Sequence, residues 1–265
     1  MDSLEGKRGQ PRLKPPFPAV KGLYESPTVI NNVETLCAVP WILQHGGAAY
    51  AAIGVPKSSG TKLVSASGHI NKPGVYEIDL GYPLLDFIEH ECGGVRRGRR
   101  LKAVIPGGSS TMVLRADELE GVNLDYESLR KAGSSLGCAG FIVLDDSVDM
   151  PEVLLNLAHF YAHESCGQCT PCREGAHWIE KIARRIAKGE GRKGDLELIE
   201  NICSQIGGHT ICAFGDTMVL PYRSIITKFR EEFEARVARG AGLNGEAGSC
   251  PLSLNFTYEE AGHDR

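Results

Sequence analysis

Three cysteines, Cys166, Cys169 and Cys172, share the run His163-Glu-Ser-Cys-Gly-Gln-Cys-Thr-Pro-Cys-Arg-Glu-Gly175. Two successive two-residue gaps put three thiolates on one tight loop, where all can face a single inorganic centre. Position 176 is Ala, so no fourth ligand follows locally. A fourth must come from a distant part of the chain, and the centre then also staples the tertiary fold.

Thiolates favour zinc or iron–sulfur centres. Zinc sites usually pair two separated Cys-x2-Cys knuckles. Here three cysteines share one loop and no second knuckle exists. That favours a cubane [4Fe–4S] cluster, with zinc as the alternative and a ligand-free structural loop third. The run lacks the fourth cysteine and following proline of bacterial ferredoxins. Cys138, Cys203, Cys212 and Cys250 are the candidates for the remote ligand. Cys203, between Ile202 and Ile206 in a helical pattern, reads as a small buried hydrophobe. Cys250 lies in a Gly-rich tail and Cys138 in a β-rich stretch flanked by glycines. Cys212, in a loop between two helices of the same region, is the best placed. Arg173 reads either as a surface cation or as a charge that stabilises the reduced centre.

The other bounds are broad. The 265 residues allow one large domain or two to three small ones. A net charge of -4 gives no case for nucleic-acid binding, and the run Arg96-Arg97-Gly98-Arg99-Arg100 reads as a solvated loop. The polar, Pro-rich N-terminus predicts no signal peptide, and no apolar stretch reaches the ~20 residues a membrane span needs. Nine cysteines without secretory features point to a reducing compartment. A soluble or peripheral intracellular protein is expected, with any membrane attachment made through partners.

Along the chain the texture changes twice. Residues 1–27 are Pro-, Gly- and Lys/Arg-rich, and a helix is expected over about 32–44, capped by Asn31 or Asn32 and perturbed by Pro40. From Lys62 strands are expected at 62–68, 74–79, 101–105 and 140–144. Between the second and third, Leu84, Leu85, Phe87 and Ile88 form the apolar face of a helix that Gly93-Gly94 stops. Gly107-Gly108-Ser109-Ser110 reads as a strand-end turn. This α+β pattern is compatible with a β-grasp. From Pro151 four amphipathic helices are expected. Val153, Leu154, Leu157 and Phe160 face inward from the first, and Trp178, Ile179, Ile182 and Ile186 from the second. Asp195 caps the third, which carries Leu198, Ile199, Ile202 and Ile206. Asp216 or Pro221 opens the fourth, which runs through Phe229 and Val237.

The runs Glu164–Gly175 and Gly208-His-Thr-Ile-Cys-Ala-Phe-Gly-Asp216 resemble the NADH-binding flavoprotein (F-type) subunit of respiratory complex I. Lys14-Pro-Pro-Phe-Pro-Ala19 and Pro27-Thr-Val-Ile-Asn-Asn-Val-Glu-Thr35 match the same family in the same order. The resemblance implies three parts: the remnant of a Rossmann-like FMN/NADH domain over 1–58, a β-grasp (SLBB-type) domain over 59–147, and a four-helix bundle over 148–240. A flexible tail follows over 241–265. It implies hydride transfer from NADH to FMN and then single electrons onto one [4Fe–4S] cluster held by Cys166, Cys169, Cys172 and Cys212. Asn31, Asn32 and Thr35 would contact FMN, and Lys14 and Phe17 would hold NADH, Phe17 by stacking on the adenine. The family's Gly-rich flavin loop and Gly-Glu-Glu segment have no counterpart here, so only part of a flavin site is expected. The implied partners are other peripheral-arm subunits, especially the [2Fe–2S] thioredoxin-like subunit and the large iron–sulfur subunit. The implied location is the cytoplasmic face of a bacterial inner membrane or the mitochondrial matrix side. Input subunits of NAD-linked hydrogenases or formate dehydrogenases, and a non-catalytic relay module, are the alternatives.

Overall fold

The computed structural model describes residues 1–242. Beyond two short helices, α1 (Val33–His45) and α2 (Gly47–Ala51), the N-terminal segment has little regular structure until the hairpin of β1 (Gly54–Val55) and β2 (Ser58–Ser59). Asn32 is the N-cap of α1, its side chain accepting from the Glu34 amide at 3.3 Å. The helix runs through Pro40 to His45, close to its expected range.

The sheet follows: β3 (Thr61–Gly68), β4 (Gly74–Asp79), β5 (Tyr82–Pro83), β6 (Leu101–Ile105), β7 (Leu114–Arg115), β8 (Asn123–Leu124) and β9 (Gly140–Asp145). Five strands order as β4-β3-β9-β6-β7, with β3 and β9 parallel and the other pairs antiparallel; β5 and β8 make a separate ladder. The short α3 (Leu84–Asp86) runs on as a π-type turn over Phe87–Glu91, and α4 (Tyr126–Lys131) precedes β9. Leu84, Phe87 and Ile88 are buried as expected, but Leu85 is exposed. Phe87 meets Phe141 of β9 edge-on, with ring centroids 5.3 Å apart.

Strand alternation splits the interior into two cores. Val104, Phe141 and Val143 face the 84–91 helix. Ala103, Ile105, Ile142 and Leu144 point to the opposite side, where they join the core of the helical region. The sheet is therefore covered on both faces. The Arg96–Arg100 loop is only partly free: Arg96 pairs with the buried Asp145, and Arg99 and Arg100 pair with Asp146.

Among the described residues the helical region has five helices, not four: α5 (Met150–Glu164), α6 (Thr170–Ala187), α7 (Asp195–Ile206), α8 (Ala213–Lys228) and α9 (Arg230–Gly242). The expected fourth helix breaks at Phe229, where φ is -124° and ψ 29°. Arg115 of the sheet donates to the Lys228 carbonyl at 2.9 Å, capping α8, and its guanidinium lies 5.7 Å from the Phe229 ring centre. Other expectations fail by one position. Phe160, Trp178 and Leu198 are exposed because each is offset by about 100° from its helix's buried stripe. Asp195 is the first residue of α7, not its cap, and its carboxylate binds Arg185 and the Arg192 amide. Pro221 is buried inside α8 and does not open it. The tail expected to be loose overlaps α9 at Ala241 and Gly242; its remainder, with Cys250, lies outside the described residues.

Candidate iron–sulfur centre

The three-cysteine loop joins α5 to α6. Ser165 closes α5, and Gly167 turns the chain at φ +82°, where an L side chain is strained. Cys169 is the N-cap of α6, Pro171 fills its first turn, and Cys172 follows in that same turn, 7% exposed. Cys212 is the N-cap of α8. The two loops touch: the Ile211 amide donates to Cys169 Sγ at 3.5 Å. Burial pushes the Cys172 thiol above its ordinary pKa. A hydrogen bond with Ser165 pulls the other way, and the nearby thiols of Cys212, Cys166 and Cys169 push it further up. The hydrogen bond from Ile211, the neighbour of Cys212, is what joins the two cysteine loops. Yet among the described residues no three His, Cys, Asp or Glu side chains converge on one metal-ion position.

Both loops are braced. Arg173 is exposed and donates to the Gly167 carbonyl at 2.7 Å, tying down the turn between the first two cysteines. Arg8 reaches the Cys166 carbonyl at 3.3 Å. Across the site, the Gly208 amide donates to Asp216 at 2.6 Å and Thr210 donates to the Cys212 carbonyl at 3.0 Å. The N-termini of α6 and α8 both begin at these cysteines, so two sets of free amides and two positive dipole ends face the site.

The other cysteine candidates lie apart. Cys203 is fully buried in α7, and burial pushes its thiol up to about 12. Cys138 is exposed on the sheet side, its Sγ 3.5 Å from the Gly107 carbonyl. The residues implied for FMN and NADH do not gather into a cradle. Lys14, Phe17, Asn31, Asn32 and Thr35 are all exposed. None lines the concavity of about 670 Å³ beside Glu89, His90 and Arg99, or that of about 360 Å³ beside Asp2 and Arg12. Two features of the cysteine site were not legible beforehand: the Ser165 hydroxyl on Cys172 at 3.3 Å and the Ile211 amide on Cys169. A serine beside Cys166 gives no hint that it serves a cysteine two helical boundaries later.

A β-grasp sheet carrying a helical region with four gathered cysteines defines an iron–sulfur module built on an SLBB-type domain. Residues 152–236 match the NADH-ubiquinone oxidoreductase-F iron-sulfur binding region, and residues 62–134 match the SLBB domain. More particularly, the chain is 52% identical over 237 residues to the second F-type subunit of NADH-quinone oxidoreductase of Rhizobium meliloti (strain 1021), an alignment covering 89% of this chain and 56% of that protein. It is 49% identical over 238 residues to the F-type subunit of NADH-quinone oxidoreductase of Rickettsia bellii (strain OSU 85-389), covering 89% and 57%. The NAD+-reducing [NiFe]-hydrogenase in its H2-reduced state superposes with a TM-score of 0.80 at 37% identity, covering 89% of this chain and 40% of that one. The chain is a homologue of the F-type subunits of NADH-quinone oxidoreductase and spans about half the length of the curated relatives it matches.

Proposed function

We propose that this chain is the cluster-bearing part of the electron-input subunit of a complex I-type NADH:quinone oxidoreductase. Cys166, Cys169, Cys172 and Cys212 would hold one [4Fe–4S] cluster that receives electrons originating from NADH. The observation that carries this reading is the Ile211 amide on the Cys169 sulfur, 42 positions away in sequence. It supports Cys212 as the fourth ligand, because the residue next to it touches the three-cysteine loop. A single zinc needs its thiolates around one point at about 2.3 Å, whereas a cubane spreads them over four irons. The match of residues 152–236 to the NADH-ubiquinone oxidoreductase-F iron-sulfur binding region supports the cubane over zinc.

When bound, such a cluster takes up and passes on one electron at a time. The chain's own groups support that chemistry. Burial of Cys172 excludes water from one side of the site, and the amide-rich starts of α6 and α8 offset the added negative charge. Lys14, Phe17, Asn31, Asn32 and Thr35 would supply one wall of an FMN/NADH site without enclosing it. The exposed apolar side chains of α1 support reading residues 1–58 as part of a larger flavin domain. The partners would be other peripheral-arm subunits, among them the [2Fe–2S] thioredoxin-like subunit and the large iron–sulfur subunit. No helix of the described residues is long and apolar enough to cross a membrane. The chain would sit peripherally, on the cytoplasmic or matrix side.

The structural likeness to the NAD+-reducing hydrogenase supports a second reading, the input subunit of such an enzyme; the higher identity to the quinone oxidoreductase subunits favours the first. Anaerobic purification with the chain's natural neighbours tests both. The expected result is about four iron and four sulfide per chain, with NADH-driven ferricyanide and quinone reduction by the assembly. Hydrogen-dependent NAD+ reduction would favour the second reading. A brown centre with no NADH-driven reduction would leave only a relay module, and zinc without iron or sulfide would overturn the cluster.

A further inference from the structure

We infer that the Ser165 hydroxyl is a dedicated hydrogen-bond donor to the Cys172 thiolate and holds the reduction potential of the cluster up. The inference rests on the cluster reading above and goes beyond it, from which residues ligate to which residue sets the potential. Ser165 Oγ lies 3.3 Å from Cys172 Sγ, and the Gly167 amide approaches the same oxygen at 3.4 Å. Between a neutral thiol and a hydroxyl either atom could donate. A metal-bound thiolate has no proton, so its sulfur can only accept and the hydroxyl must donate. The Gly167 N–H occupies an acceptor position on the serine oxygen, which leaves the O–H free to point at the sulfur.

Cys138 and Cys172 differ in what their sulfurs face. Cys138 faces a carbonyl, the Gly107 oxygen, and so can only donate as a neutral thiol. Cys172 faces a hydroxyl, which can donate as a thiolate requires. Cys172 is also nearly fully buried, and a hydrogen bond to charge is worth more where water does not compete. Uptake of one electron puts more negative charge on the cluster sulfurs. The Ser165 bond therefore strengthens on reduction, stabilises the reduced form and raises the potential. Ser165 is a positioning residue in this sense: it acts on the electron acceptor through Cys172.

The test is an EPR-monitored redox titration of the protein purified anaerobically in its natural complex, with iron and sulfide measured on each sample. Ser165→Ala should keep the wild-type iron and sulfide content yet make reduction harder by about tenfold, a downward midpoint shift of about 59 mV for one electron. Ser165→Thr, which retains the hydroxyl, should restore the wild-type midpoint. If Ser165→Ala does not load, Ser165→Val against Ser165→Thr makes the same comparison between isosteric side chains. Loaded Ala or Val variants with an unchanged midpoint would overturn this inference alone. So would loss of the cluster in both Ala and Val, since the bond would then build the site instead of tuning it. Wild-type protein with no iron or sulfide would overturn the cluster reading as well.

Discussion

α1 and α6 are both regular helices, but only one is held by a core. α6 buries eight of its residues, among them Cys172, Gly175, Ala176, Ile179 and Ile182, in a continuous stripe. α1 buries none: Val33, Leu36, Val39, Trp41 and Leu43 are all exposed. Its order comes from local devices, the Asn32 cap and a tether through Glu34, which accepts from the Leu63 amide at 2.9 Å and pairs with Lys62. Caps and tethers are enough to make a helix. A packed interior, as around α6, is needed to hold a metal centre rigidly.

The largest effect should come from breaking the staple in the helical region. Cys212→Ala should abolish the cubane EPR signal and lower iron and sulfide content. It should also destabilise the helices by on the order of several kcal/mol, because metal binding contributes folding energy to the elements it joins. Cys203→Ala should keep the signal and cost about 1–2 kcal/mol, as the truncation of a small buried side chain. The reverse pattern would exchange the roles given to these two cysteines.

The next contrast compares like substitutions in the two helices. Ile179→Ala, at a fully buried position, should cost about 2–5 kcal/mol. Leu36→Ala, on a residue 52% exposed, should stay within about 0.5 kcal/mol in this chain. Denaturant melts of both variants decide it; a loss of several kcal/mol at Leu36 would mean that α1 is packed after all. Gly175 sharpens the point. A Cβ there would come within 2.6 Å of Ile206 Cδ1, so α6 and α7 meet at a glycine. Gly175→Val should cost about 1–3 kcal/mol through overpacking.

The sheet lies between these extremes and depends on a buried ionic anchor. Asp145 is fully buried; burial alone would raise its carboxyl. Hydrogen bonds from Ser147, with Arg96 and His69 beside it, more than reverse this and hold it at about 2, against an ordinary value of 3.8. A depressed carboxylate stabilises the fold above its unfolded value and stops doing so as pH falls through the folded one. The contribution of about 2 kcal/mol should therefore be complete above about pH 5 and fade between pH 3.8 and about 2. Wild type should outlast Asp145→Asn in urea at pH 7, and the gap should narrow on acidification across that window. A gap that widened there would show the sign to be wrong.

What was legible in the sequence follows from the range of the signal. The four expected strands, the 84–91 helix and the Asn cap of α1 rest on alternation, glycine stops and side-chain caps, all local. The gathering of Cys212 with the three-cysteine loop is suggested by its place in a loop between helices. Errors arise where two apolar neighbours compete for one face, as at Trp178 and Ile179, or where a distant residue decides a boundary. Arg115, far off in sequence, ends α8 by taking the Lys228 carbonyl. Ser165 acts across a loop whose geometry no spacing rule gives.

The smallest expected effect concerns the Glu34 tether. Burial raises the Glu34 carboxyl, but the Leu63 amide and Lys62 together bring it below its ordinary value, so it is ionised at neutral pH. Glu34→Gln keeps the shape and one acceptor but removes the charge from Lys62. It should cost no more than about 1 kcal/mol, too little to see clearly in a global melt. Hydrogen exchange reads it better. Because α1 has no buried side to hold it, its amides should exchange several-fold faster in Glu34→Gln, and those of α6 should not change. Equal acceleration in both helices would mean that α1 opens only with the whole molecule, and the contrast between a tethered helix and a packed one would fail.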